Sequence, residues 1–154
     1  MIFITVGTQK QQFTRLLELV ENSVELKNEK KIAQIGHTKY ESKKIETFSF
    51  ISLEEIEKYI DEADLVISHG GVGTIFSGLL KHKKVLVVPR LEKYEEHIND
   101  HQVEISKELE NSGHIIYYKD GKDSFDELVR KIKSTNLKEY KSDKRYLDIL
   151  RKEI

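Results

Sequence analysis

The sequence contains no cysteine, so neither a disulfide bond nor a metal site built from thiolates can form. The formal net charge is -1, from 26 basic and 27 acidic side chains, so no overall field attracts nucleic acid or anionic lipid. The longest apolar runs, such as VLVV and LVI, fall far short of the roughly 20 residues that a membrane-spanning helix needs. The opening MIFITVGT lacks the basic segment of a signal peptide and begins a strand pattern at once. We therefore expect a soluble cytoplasmic protein with no nucleic-acid partner.

What the sequence does contain is a regular alternation of short apolar runs with segments of helical spacing. Its 154 residues are the length of one domain, 1–154. The apolar runs predict buried strands at Ile2–Val6, Lys31–Ile35, Ile45–Phe48, Leu65–Ser68, Val85–Val88 and Ile115–Tyr118. This order predicts an α/β fold, a Rossmann-like and mainly parallel sheet with flanking helices. The polar stretch 36–44 is predicted to be a loop, and the charged residues 136–154 a C-terminal helical tail.

Ligands of such sheets bind at the carboxyl ends of the strands, in the loops that lead into helices. Four of these loops are polar: GTQKQQ, GHTKY, SHGGVGT and PRLEKYEEHINDHQ. Because all four end at the same edge of the predicted sheet, we expect the binding site there.

The loop SHGGVGT, Ser68–Thr74, places three glycines at a strand-to-helix turn. It is not a P-loop, because Gly73 is followed by Thr74 and Ile75 instead of lysine and serine or threonine. It also lacks the third glycine of the dinucleotide fingerprint, since Phe76 stands there. One interpretation is an anion site, in which glycines let a phosphate approach the helix N-terminus and His69 donates a hydrogen bond. The other is a tight turn with His69 packed beneath it.

The segment DLVISHGGVGTIFSGLLKHKKVLVVPR, followed by HINDHQ, resembles the glycosyltransferase family 28 C-terminal domain, the donor-binding half of GT-B glycosyltransferases. TVGTQKQQFTRLL and AQIGHTKY resemble the same group. The pattern is most similar to the short bacterial polysaccharide subunits of the PssE and EpsF type and to the Alg13-like subunits of eukaryotes. The resemblance runs from residue 1 to about Tyr118.

The resemblance implies a UDP-sugar site at the predicted edge. Residues implied to bind the diphosphate are His69, Gly70, Gly71, Val72, Gly73 and Thr74. Residues implied to bind the donor sugar are Asp100, His101 and Gln102. Positions implied to lie near the nucleoside are Gln34, Gly36, Phe50, Ile51 and Ser77, with Gly7 and Thr8 near the cleft. No cofactor and no metal is implied, because a helix N-terminus can stabilise a leaving diphosphate.

One position departs from the family pattern. Many members carry a glutamate eight residues after the loop histidine, where it would bind the ribose hydroxyls. Here that position is Ser77, which can make one hydrogen bond but lacks a bidentate carboxylate. At this position we therefore expect a weaker contact with the ribose than the family pattern implies.

The implied function is that of a donor-binding catalytic subunit of an inverting glycosyltransferase. It would move a hexose from a UDP-sugar to a lipid-linked saccharide in exopolysaccharide or capsule biosynthesis. No loop pairs a histidine with a carboxylate as an evident general base, so we expect the base on a partner chain. That partner is implied to be a membrane-associated, acceptor-binding subunit resembling PssD or Alg14, which holds this chain at the inner face of the membrane. The alternative is a non-catalytic, regulatory module that binds nucleotide-sugars.

Overall fold

Six parallel strands form one sheet in the computed structural model, which describes residues 1–140. The strands are β1 (Ile2–Thr5), β2 (Lys31–Gln34), β3 (Glu46–Phe48), β4 (Leu65–Ser68), β5 (Lys84–Val87) and β6 (Ile116–Tyr117). Their order is β3-β2-β1-β4-β5-β6. This is the order of a Rossmann-type sheet, in which the chain reverses direction across the sheet at β1 and β4.

Within residues 1–140, four α-helices lie between strands, a fifth follows β6, and together they cover both faces of the sheet. They are α1 (Thr14–Glu21), α2 (Leu53–Glu62), α3 (Val72–Leu80), α4 (His101–Asn111) and α5 (Phe125–Ser134). A short 3₁₀ helix, Glu92–Tyr94, lies in the connection between β5 and α4. The predicted fold class is confirmed, and each predicted strand differs from the observed one by at most a residue at either end.

The two central strands, β1 and β4, are largely apolar, as expected where helices cover both faces of a sheet. All four residues of β1 and of β4 are buried. Ile4 and Ile67 belong to a core beneath α1 and α5, whereas Phe3 and Val66 belong to a second core beneath α2, α3 and α4. Alternate residues of one strand therefore build two separate cores, one on each side of the sheet.

The helix starts differ in how they are capped. The side chain of Ser52 accepts a hydrogen bond from the Glu55 N–H at the start of α2, and Ser124 caps α5 through the Glu127 N–H in the same way. The start of α3 follows Gly71, with no side-chain cap and no acidic residue in its first turn. The first N–H groups of α3 are thus left for other partners.

The helical tail predicted from residue 136 does not begin there, because residues 136–140 contain no helix. The backbone of Lys138 is engaged with a neighbouring loop: its N–H donates to the Gly113 carbonyl at 2.9 Å, and its carbonyl lies 3.0 Å from His114 Nδ1. The Tyr140 ring packs against His114. The rest of the predicted tail, 141–154, lies outside the described residues. The loop predicted at 36–44 is confirmed. Within residues 1–140, no helix has both the length and the apolar character needed to cross a bilayer.

Candidate functional site

The loops at the carboxyl edge of the sheet touch one another through their glycines. A β-carbon built on Gly36, after β2, would lie 2.7 Å from the Gly7 carbonyl oxygen in the loop after β1. A β-carbon on Gly70, after β4, would lie 3.0 Å from Cβ of Gln102 at the start of α4. The structure therefore brings together four segments that the sequence analysis assigned to one site.

His69 lies beneath this junction. A β-carbon on Gly71 would stand 2.2 Å from its Nε2 atom, and one on Gly7 would stand 2.5 Å from the same atom. Neither position can carry a side chain unless the ring moves. Gly7 and Gly70 also have φ angles of 82° and 95°, in the region that favours glycine. Close packing and backbone conformation thus account for these three glycines.

Gly73 is different. A β-carbon there would meet no atom within 4 Å, and the residue is exposed in the first turn of α3. The open space at Gly73 therefore lies in the first turn of α3, whose N-terminal N–H groups have no side-chain cap. An anion can reach these groups and gain from the helix dipole. Thr74 is half-buried, and the side chain of Val72 packs into the core.

The His69 ring is neutral. Burial, and then the positive charge of Arg90, lower the pKa of His69 to about 3, while the nearby Thr5 carbonyl opposes the shift in part. The ring lies on the polar floor of the site, and its buried Nδ1 atom makes no hydrogen bond of acceptable geometry with residues 1–140. The same holds for the buried Oγ of Ser68, at the end of β4. Buried polar atoms of this kind normally bind an ordered water or a ligand.

Arg90, directly after Pro89, is a residue of this edge that the sequence analysis missed. Its side chain is completely buried. The guanidinium donates twice to the Val6 carbonyl, at 3.0 and 2.6 Å, and once each to the carbonyls of Gln11 and Glu96, both at 2.8 Å. Arg90 therefore joins the loop after β1 to the loop after β5. A charged residue three positions after β5 was the available signal.

A second arginine strengthens the same junction. Arg15, on α1, donates to the two carboxylate oxygens of Glu96 at 3.0 and 2.8 Å, and the Glu96 side chain is almost fully buried. Glu96 also accepts a hydrogen bond from the Leu91 N–H at 3.0 Å. The loop after β5 is thus tied by two arginines to the loop after β1 and to α1.

The predicted sugar-binding residues lie where α4 begins. Gln102 is buried, and its Oε1 atom accepts a hydrogen bond from the backbone N–H of Arg90 at 3.1 Å. Its amide nitrogen remains as the group that can donate to a ligand. Asp100 and His101 are exposed, and Asp100 Oδ1 accepts from the Glu92 N–H at 3.0 Å. Gln102 therefore lies nearer to the glycine loop than its two neighbours, because it contacts Gly70.

The predicted nucleoside positions fall into two groups. Phe50 is half exposed, and its ring meets the edge of His37 at 5.1 Å between centroids, next to half-buried Ile51. Gln34 is buried at the end of β2. Ser77 lies farther along α3, where its hydroxyl donates to Oε1 of Glu57 on α2 at 2.9 Å. A carboxylate therefore lies beside the position where the family glutamate was expected, but it comes from another helix.

Thr8 is exposed next to Gly7, at the rim of this edge. No group of three histidine, aspartate or glutamate side chains within the described part of the chain is arranged to hold a metal ion. The chemistry available at this edge is therefore that of backbone N–H groups, amides, hydroxyls and a neutral imidazole. Such groups bind an anion and sugar hydroxyls.

Comparison with known proteins agrees with this fold. The family model described as the glycosyltransferase family 28 C-terminal domain matches residues 1–151. The human UDP-N-acetylglucosamine transferase subunit ALG13 is 32% identical over 127 residues, which are 75% of this chain and 11% of the human protein. The Candida albicans subunit of the same name is 32% identical over 79 residues, 51% of this chain and 26% of that protein. The chain thus spans only a small part of these relatives.

Solved glycosyltransferase structures share the fold. The glycotransferase of kitacinnamycin superposes with a TM-score of 0.65 at 16% identity, over 98% of this chain and 37% of that one. The spinosyn forosaminyltransferase SpnP superposes with a TM-score of 0.59 at 14% identity, over 86% of this chain and 35% of that one. At these identities the likeness concerns the fold alone, and it agrees with the predicted half of a GT-B enzyme.

Proposed function

The chain belongs to the family of glycosyltransferase family 28 C-terminal domains, and from that premise we propose that it binds a UDP-sugar and acts as the donor-binding subunit of an inverting glycosyltransferase. The diphosphate would lie on the N-terminus of α3, over His69–Thr74. The sugar would lie toward Asp100, His101 and Gln102, and the nucleoside toward Gln34, Gly36, Phe50 and Ile51.

The open start of α3 is the observation that carries this proposal. It has neither a capping side chain nor an acidic residue in its first turn, and the space above Gly73 is clear. The unsatisfied polar atoms of Ser68 and His69 lie beneath the same loop. These features suit a group with several negatively charged oxygens, which N–H donors and the helix dipole stabilise. The same donors would stabilise the charge that develops on the leaving diphosphate.

No metal is needed in this scheme. The helix start would supply the stabilisation that a divalent cation provides in other transferases. Accordingly, UDP binding should be the same with EDTA as with added Mg²⁺. A tenfold gain on adding Mg²⁺ would contradict the metal-free scheme.

The acceptor and the general base would come from a partner chain. His69 is buried and neutral, and His101 makes only an exposed contact of 3.6 Å with Glu104, so neither residue is an evident general base. The human relative is named as a subunit of a UDP-N-acetylglucosamine transferase, which supports both a partner and UDP-N-acetylglucosamine as the first donor to test. We propose a membrane-associated partner resembling PssD or Alg14 and a lipid-linked saccharide acceptor in exopolysaccharide or capsule synthesis. The partner would hold this chain at the inner face of the membrane.

Transfer assays with and without the partner test the proposal. UDP-N-acetylglucosamine, UDP-glucose and UDP-galactose are offered to the purified chain with a lipid-linked acceptor, alone and after co-expression with the partner. We expect little transfer by the chain alone and one preferred donor with the partner present. Full turnover by the isolated chain would contradict the need for a partner.

Gln102 separates a sugar contact from a structural role in the same assay. Gln102→Ala loses both the hydrogen bond to the Arg90 N–H and the amide donor, whereas Gln102→Glu keeps an acceptor for Arg90 and loses only the donor. If Gln102 contacts the sugar, both variants transfer slowly while UDP binding persists in the glutamate variant. Normal transfer by Gln102→Glu would show that Gln102 serves only to hold Arg90.

The second candidate is a non-catalytic module that binds nucleotide-sugars and regulates another protein. The same open helix start favours it, because binding alone needs no base. Both candidates bind UDP, so only transfer distinguishes them. Absence of transfer with every donor in the presence of the partner, together with intact UDP binding, would favour the regulatory module.

A further inference from the structure

A second pocket, of about 490 Å³, opens at the same edge of the sheet on the far side of the loop after β5. Its walls are that loop, α4 and the residues that follow β6, with Arg15 of α1 at one end. It shares Asp100 with the predicted sugar-binding segment but includes no residue of the glycine loop. The pocket is thus next to the donor site and separate from it.

Five cationic and three acidic side chains line this pocket, and two of the cations are also paired with acids outside the lining, Arg15 with Glu96 and Lys119 with Glu110. The cations are Arg15, Lys93, Lys107, Lys119 and Lys122, and the acids are Asp100, Glu104 and Asp120. They come from α1, the loop after β5, α4 and the segment after β6, so the fold and not one local run of sequence collects them. Charges of one sign around a concave surface raise the local concentration of the opposite ion.

The acidic side chains of the pocket are already engaged within the protein. Asp120 accepts a hydrogen bond from the Tyr94 hydroxyl at 2.5 Å and pairs with Lys93 at 3.2 Å. Asp100 accepts from the Glu92 N–H, and Glu104 lies 3.6 Å from His101. Because the acidic side chains already have partners within the protein, they are not the groups of the lining that are left to bind a ligand.

Two lysines on opposite walls are not engaged in this way. Neither Lys107, on α4, nor Lys122, after β6, has an ion-pair partner within residues 1–140. Lys119 lines the same pocket and is positioned: its Nζ is 2.7 Å from Glu110 Oε1 and 4.2 Å from the centre of the Tyr117 ring. Lys107 and Lys122 are therefore the ammonium groups of the lining that are left to donate to an anion.

We propose that this pocket binds a phosphate or diphosphate group, distinct from the diphosphate of the donor. Resting on the proposed function, we assign that group to the acceptor, as the phosphate that joins the acceptor saccharide to its lipid carrier. The pocket lies beside Asp100, so an acceptor anchored here by its phosphate would place its sugar toward the donor sugar. The partner chain would then complete the acceptor site.

Inorganic pyrophosphate is the probe that tests the pocket without any transfer assay. Amide chemical shifts of the full chain are followed by NMR during titration with pyrophosphate, first without UDP and then with saturating UDP. We expect shifts at Lys107 and at 119–122 in both titrations, because UDP leaves this pocket open. A short-chain alkyl diphosphate, which mimics the carrier end of the acceptor, should shift the same amides.

Reversing the charge of lysines in the pocket, compared with reversing that of a lysine elsewhere on the surface, tests which lysines bind pyrophosphate. Lys107→Glu combined with Lys122→Glu should weaken pyrophosphate binding in the presence of UDP by about tenfold or more. Lys43→Glu is the control: Lys43 is also exposed, and it precedes β3 at the opposite, amino edge of the sheet. The affinity of the Lys43→Glu variant for pyrophosphate should stay within about twofold of that of the unmodified chain.

Three outcomes would overturn the inference: pyrophosphate shifts confined to the glycine loop, loss of all shifts once UDP is bound, or undiminished binding by the double lysine variant. None of them concerns UDP itself, whose binding is judged from the shifts at 70–74. If UDP binds at the glycine loop and pyrophosphate does not bind the pocket, the inference fails and the proposed function stands.

A transfer assay with the double lysine variant tests whether the phosphate bound in the pocket belongs to the acceptor or to the donor. A raised KM for the lipid-linked acceptor with an unchanged KM for the donor supports the assignment of the pocket to the acceptor. A raised KM for the donor with an unchanged KM for the acceptor contradicts that assignment.

Discussion

The Nε2 atom of His69 lies 2.2 Å from the point that a β-carbon on Gly71 would occupy. The imidazole therefore supports the glycine loop from below, and the loop can rest on it only because residue 71 has no side chain. Gly73, two residues later, has no such neighbour. Two glycines of one motif thus serve different purposes, one for packing and one for access.

This difference predicts opposite effects of the same substitution. Gly71→Ala should destabilise the protein by about 1–3 kcal/mol, because the ring or the loop must move. Gly73→Ala, in an exposed helical position, should leave stability unchanged or raise it by up to about 1 kcal/mol. Thermal unfolding compares the two, and about 2–4 °C in Tm per kcal/mol is expected for a chain of this size. Equal Tm values would show that the His69 ring does not constrain the loop.

Arg90 should be among the most costly side chains to remove. Arg90→Met leaves the carbonyls of Val6, Gln11 and Glu96 buried without their donor, and we expect a loss of at least about 3 kcal/mol. Arg90→Lys should recover part of it, because lysine can still donate to some of these carbonyls. Urea unfolding measures the free energy of unfolding of both variants.

Arg130→Met is the control for Arg90. Arg130 is exposed and pairs with Glu25 on the surface, so its removal should change stability little. If Arg90→Met were no more destabilising than Arg130→Met, the buried guanidinium would not be holding the two loops together.

His69 should make stability depend on pH. Its pKa falls from about 6.5 in the unfolded chain to about 3 in the folded protein, first because of burial and then because of Arg90. Between these values the unfolded chain binds a proton that the folded one does not, so this contribution is complete above pH 6.5 and declines as the pH falls toward 3. The ring signals of His69 should show a neutral imidazole at pH 4.5 by NMR. Protonation of the folded ring near pH 6.5 would contradict the buried, neutral state.

Much of the fold was predictable because short apolar runs between polar loops are typical of strands that are covered on both faces. Phe3 and Ile4 illustrate this, since each enters a different core. The position of the site followed from the rule that parallel strands expose their carboxyl ends together. The buried state of Arg90 was not predictable, because its carbonyl partners are distant in sequence and carry no side-chain signal. Residues 136–140 of the predicted helical tail are not helical, because the Lys138 backbone bonds to Gly113 and His114, and 141–154 lie outside the described residues.

The contact between Ser77 and Glu57 changes the expectation for a glutamate at position 77. Ser77→Glu alone would place a second carboxylate beside Glu57, and the like charges should destabilise the protein. The double variant Ser77→Glu with Glu57→Gln removes the repulsion and tests whether the ribose lies there. We expect tighter UDP binding by calorimetry in the double variant only. Unchanged affinity in the double variant would mean that the ribose lies elsewhere.

The central claim is that the open start of α3 holds the diphosphate of a nucleotide, and thermal unfolding with UDP tests it most directly. UDP at a hundred times its dissociation constant should stabilise the chain by about 2.7 kcal/mol, whereas uridine, which lacks the diphosphate, should not. Gly73→Leu should unfold at nearly the same temperature without ligand, because its side chain enters open space, and should lose the shift with UDP. No stabilisation of the unmodified chain by millimolar UDP, or an equal shift in Gly73→Leu, would contradict the claim.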